Sequence, residues 1–92
     1  KKSLELNPKE LDAMNYLGLA LMAVGKNDEA LSYFNLGISL KPGTWEMVFN
    51  RGLALMALGR VSEAAAAFRD TLALNPRYAQ AKSKLDILEK NN

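Results

Sequence analysis

The stretch Gly18-Leu19-Ala20-Leu21-Met22-Ala23 returns letter for letter as Gly52-Leu53-Ala54-Leu55-Met56-Ala57, 34 residues further on (52 − 18 = 34). The same offset carries Gly25 to Gly59, Glu29 to Glu63, Ala30 to Ala64, Phe34 to Phe68, Leu40 to Leu74 and Pro42 to Pro76. A fixed period of this size marks one supersecondary unit copied in tandem. A single unit cannot bury its own apolar face and needs neighbours stacked against it. The opening Ser3-Leu4-Glu5-Leu6-Asn7-Pro8 keeps the same register as residues 37–42 and 71–76, so residues 1–8 read as the tail of a preceding unit.

Within each unit the pattern is that of two helices. From about Lys9 to Val24, Met14, Leu17, Gly18 and Leu21 recur at the i, i+3, i+4, i+7 spacing of one helical face. Gly25 supplies the left-handed residue that ends a helix, and Asp28 is a candidate cap for the next. That second helix is expected over about Asp28 to Leu40, with Ala30, Tyr33, Phe34, Gly37, Ile38 and Leu40 buried. Ala30 and Gly37 are small where two helix backbones would come close, and Phe34 fills the space between them. So short a loop requires antiparallel neighbours.

The next unit repeats the plan: a helix from about Thr44 to Leu58, Gly59 as stop, Ser62 as cap and a helix to Leu74. Val61 is placed to staple onto Ala66. Arg51 occupies the position of the core residue Leu17 and reads as a snorkelling side chain, its stem on apolar surface and its guanidinium in water. Prolines 8, 42 and 76 separate successive helices. Asn7 and Asn75 are suited to cap at those junctions, with Thr44 as the substitute where Lys41 breaks the pattern. The final segment, about Arg77 to Lys90, keeps one apolar stripe (Ala81, Leu85, Leu88) and is polar elsewhere at Lys82, Asp86 and Glu89. A capping helix that covers the last pair and shows water a polar back has this form.

Composition narrows function by exclusion. Ninety-two residues make one small domain. With no cysteine there is no disulfide framework or thiolate nucleophile, and with no histidine the usual base and commonest metal ligand are missing. Serines 3, 32, 39, 62 and 83 therefore lack an activating base, and Asp28, Glu29 and Glu63 stand where acids stabilise helix N-termini. No enzyme, cofactor or metal is expected. The net charge of +2 is spread over basic residues interleaved with acids, as on a solvated helical surface, so no nucleic-acid partner is expected. The longest apolar run, Leu19 to Val24, is far short of the roughly 20 residues a bilayer requires. No membrane association follows, and the expectation is a soluble chain, with the cytoplasm as the default compartment.

These residues carry a resemblance to the tetratricopeptide repeat family. Its W-x2-L-G-x2-Y, A-x3-F, P pattern appears as Met14, Leu17, Gly18, Leu21, Ala30, Phe34, Pro42 and again as Val48, Arg51, Gly52, Leu55, Ala64, Phe68, Pro76. The tryptophan and tyrosine places hold smaller apolar residues. The resemblance implies an all-α fold, a right-handed superhelical stack of antiparallel helix pairs (an α-solenoid), with full units at 9–44 and 45–76 and a capping helix at 77–92. It also implies a non-catalytic scaffold for protein–protein interaction.

A second stripe on the first helix of each pair is turned about 100° from the glycine face. It comprises Asp12, Asn15, Leu19 and Met22, and one period on Glu46, Phe49, Leu53 and Met56. In proteins resembling this one, that stripe lines a concave groove holding a peptide, which would place Asn50 at its edge and Gln80, Ser83, Lys84 and Ile87 along its continuation. Groove lining is favoured over packing for Phe49 and Leu53, and the two readings stand level for Met22 and Met56. An apolar floor with adaptable methionines implies a partner segment with apolar anchors. Family members that grip the C-terminal carboxylates of heat-shock chaperones use Lys, Asn, Asn, Lys and Arg at the places of Asn15, Leu19, Asn50, Gln80 and Lys84. Only Asn50 matches, which disfavours that ligand. The rival readings are a self-associating array, in which Leu4, Leu6, Met14 and Tyr16 meet another copy as a homo-oligomer, and an RNA-binding helical repeat.

Overall fold

The computed structural model describes residues 8–90, which form five helices: α1 (Pro8–Ala23), α2 (Asn27–Leu40), α3 (Trp45–Ala57), α4 (Val61–Leu74) and α5 (Ala79–Lys90). The described residues contain no strand. Each helix packs on the next in the chain, and α1 also touches α3. The result is a flattened stack measuring 49 × 29 × 17 Å. Except for Pro8, the tail expected over residues 1–8 lies outside the described residues, and so do the Asn7 cap and the Leu4 and Leu6 contacts.

Both helix pairs turn on the same device. The N–H of Lys26 reaches the carbonyl of Leu21 at 2.8 Å and that of Gly25 reaches Met22 at 3.0 Å; Arg60 to Leu55 (2.9 Å) and Gly59 to Met56 (3.0 Å) repeat it. These are the paired bonds of a Schellman motif. It requires a left-handed residue, supplied by Gly25 at φ 86° and Gly59 at φ 80°.

Several expected termini shift. α2 and α4 begin one residue early, at Asn27 and Val61, so Asp28 and Ser62 lie inside the first turn. The cap positions fall on Lys26 and Arg60, neither of which makes a side-chain cap bond. With Val61 inside the helix and both Val61 and Ala66 exposed, no staple forms. Thr44 holds the cap position of α3, but its hydroxyl donates to the Lys41 carbonyl at 3.0 Å instead. Asn75 accepts a bond from the Arg77 N–H at 3.3 Å and stabilises the turn before α5 rather than the helix start.

The core is built by pairing rings with glycines. Phe34 and Phe68 are fully buried. A Cβ placed on Gly18 would sit 2.5 Å from the Phe34 ring, and one on Gly52 would sit 2.6 Å from Phe68. Gly37 makes room for the thioether of Met47, a side chain rather than a helix backbone. Leu31 and Thr71 are buried in addition to the expected positions, and the Thr71 hydroxyl donates to the Ala67 carbonyl at 2.8 Å. Two expected core positions are open: Leu17 is 43% exposed and Leu40 44%. On α5, Ala81 and Leu88 are buried and Leu85 half-buried, with Lys82, Asp86 and Glu89 exposed, as expected of a helix with one apolar face.

Candidate functional site

The first helices of successive pairs lie side by side, and a pocket of about 380 Å³ opens between them. α1 contributes Asn15; α3 contributes Trp45, Glu46, Phe49, Asn50 and Leu53; Tyr78 and Gln80 close the side toward α5. The helical period explains the α3 set. Residues 46, 49, 50 and 53 are spaced i, i+3, i+4, i+7 and share one face.

Two contacts hold the polar part in place. Asn50, 9% exposed, donates from Nδ2 to the Oδ1 of Asn15 at 2.7 Å. The Tyr78 hydroxyl donates to Oε1 of Gln80 at 3.0 Å. Below them lies an aromatic cluster. Trp45 and Tyr78 have ring centroids 4.6 Å apart, Phe49 meets Tyr78 edge-on at 4.9 Å, and Phe49 and Phe68 are 5.5 Å apart. Such tilted pairs suit the ring quadrupoles and make a stiff floor.

Of the residues singled out from sequence, Asn15, Glu46, Phe49, Asn50, Leu53 and Gln80 come together at this pocket. Leu19, Met22, Met56 and Lys84 do not line it. Met22 and Met56 are half-buried and pack against the core, Lys84 is half-buried on α5, and Leu19 is 36% exposed. Phe49 lines the pocket and is 5% exposed, so it packs in the core as well. Trp45 and Tyr78 also line the pocket but were not singled out from sequence: they are aromatic where the equivalent places one period earlier hold Leu11 and Thr44, so the repeat pattern does not reveal them.

Among the described residues no group of His, Cys, Asp or Glu could hold a metal ion, and no helix is long and apolar enough to cross a membrane. The pocket instead offers amides that both donate and accept, one carboxylate, and apolar and aromatic walls.

Tetratricopeptide repeat models match residues 1–44 and 45–78. The TPR domain of Sgt2 from Aspergillus fumigatus superimposes with a TM-score of 0.83 at 26% identity, over 96% of this chain. The chain spans 58% of that domain's length. No curated protein matches it in sequence. Two repeat models together covering residues 1–78, the helix-pair stack and the Sgt2 likeness place this chain in the tetratricopeptide repeat family.

Proposed function

We propose that this chain is a protein-interaction module that holds a segment of its partner in the pocket between α1, α3 and α5. The observation that carries this reading is the Asn15–Asn50 pair at the pocket wall. Asn50 spends one donor on Asn15, leaving its own Oδ1 and the amide hydrogens of Asn15 for a ligand. A peptide backbone, which presents a donor and an acceptor at almost every residue, matches that set. The Leu53 side chain and the aromatic rings beside it offer contact for an apolar anchor.

Selection from a random peptide display library tests this, run on the wild-type chain and on Leu53→Glu. Peptides with spaced apolar anchors enrich on the wild type, and their affinity falls by about ten-fold or more on the variant, as expected for a central contact worth at least ~1.4 kcal/mol. Circular dichroism verifies that the variant is folded. Absence of enrichment on the wild-type chain refutes the proposal.

A further inference from the structure

We infer that the segment held in this pocket carries a lysine or arginine side chain beside its apolar anchor, and that the cation lies between the Glu46 carboxylate and the rings of Trp45 and Tyr78. The inference rests on the groove reading above and adds the chemistry of what the groove takes.

The chain as a whole is basic, at +2, yet the pocket is not. Glu46 is its single charged lining residue, and the described residues give that carboxylate no ion-pair partner. One period earlier on the same stripe stands Asp12, also exposed, so the acidic end of the groove extends onto α1. A ligand carboxylate would meet like charge here, and the pocket's lining residues offer it no guanidinium or ammonium.

The aromatic wall points the same way. Trp45 and Tyr78 both line the pocket and are only half-buried, so part of each ring stays open to whatever enters. A cation within about 6 Å of an aromatic face is drawn by the ring quadrupole, most strongly at tryptophan. Asn50 Oδ1 supplies a neutral acceptor for an N–H of the same group. An ammonium or guanidinium on an aliphatic stem fits all three features at once, because its methylenes lie on apolar surface while its head meets the carboxylate.

The test uses the same peptide library on the wild-type chain and on Glu46→Gln, an exposed substitution that removes charge and keeps shape. Binding of an enriched peptide, and of its norleucine counterpart at the basic position, is then followed by fluorescence of Trp45, the single tryptophan of the chain. Lysine or arginine is expected to enrich at a fixed distance from an apolar residue. Affinity for the basic peptide falls about two- to five-fold on Glu46→Gln, the range of an exposed ion pair, while affinity for the norleucine peptide does not change. Enrichment with no basic position, or equal binding by Glu46→Gln, overturns the cation and leaves the groove standing. No enrichment on the wild-type chain overturns both.

Discussion

Asn50 on α3 donates to Asn15 on α1 across 2.7 Å, so the two helices that wall the pocket are tied by side chains that also line it. Pocket lining and repeat stacking therefore share residues. A double-mutant cycle over Asn15→Ala and Asn50→Ala is expected to give a coupling of about 0.5–1.5 kcal/mol in stability, the usual net worth of one such bond. Asn50→Ala alone should cost more than Asn15→Ala, because Asn50 is the more buried of the two. Urea denaturation of the four chains measures this, and strictly additive losses would show that the two amides do not interact.

The glycines of the core differ in what presses on them. On Gly52 an added Cβ meets the rigid ring of Phe68, whereas on Gly37 it meets the flexible end of Met47. Replacing glycine by alanine within a helix gains about 1 kcal/mol in propensity, and overpacking costs about 1–3 kcal/mol. The ring cannot yield and the thioether can, so Gly52→Ala is expected to lower stability by about 1–2 kcal/mol net. Gly37→Ala is expected to be close to neutral, since propensity and strain there are of similar size. One period beyond Gly37 and Met47 stand Thr71 and Ala81, both fully buried, so large and small have exchanged places. Thermal melts of the two variants rank them, and an equal or reversed ranking defeats the argument.

How far the sequence carries this fold depends on which interactions repeat. The helix pairs were legible because the six-residue repeat and the glycines at 25 and 59 belong to every unit, and their physics is local. Helix starts were displaced because α2 and α4 begin after Lys26 and Arg60 with no side-chain cap, so nearby polar residues pointed one position too late. The Trp45–Tyr78 pair was not legible. It joins the two ends of one unit, and no periodicity reveals a contact that its counterpart lacks. Leu17 and Arg51 illustrate the same limit. Helical spacing places both on the core side, but how much of each is covered depends on the neighbouring helix.

At the two Schellman turns, Gly25→Ala and Gly59→Ala should each lose about 1–2 kcal/mol, the penalty for a Cβ in the left-handed region. Nothing lies within 4 Å of either added Cβ, so the loss is conformational rather than steric. Asparagine tolerates this region better than alanine does, and Gly25→Asn should recover part of the loss. Melting temperatures are expected to fall by about 4–8 °C per kcal/mol in a chain of this size. An alanine variant as stable as the wild type would mean that the turn has rearranged.

Arg51 is half-buried, as a side chain with a covered stem should be, but its Nε is buried without a hydrogen-bond partner. It borders a hollow of about 270 Å³ whose other lining residues are Ile38, Pro42, Val48, Ala73, Leu74 and the exposed Asp70. A buried donor left unpaired costs about 1–3 kcal/mol, and no described ion pair to Asp70 offsets it. Methionine keeps an unbranched stem of similar reach and removes the N–H. Arg51→Met is therefore expected to stabilise the chain by about 1 kcal/mol, raising the melting temperature by about 4–8 °C. The variant leaves the α1–α3–α5 pocket untouched, so peptide affinity should not move with stability. A melting temperature below that of the wild type would show that the guanidinium contributes more through its exposed nitrogens than its buried Nε costs.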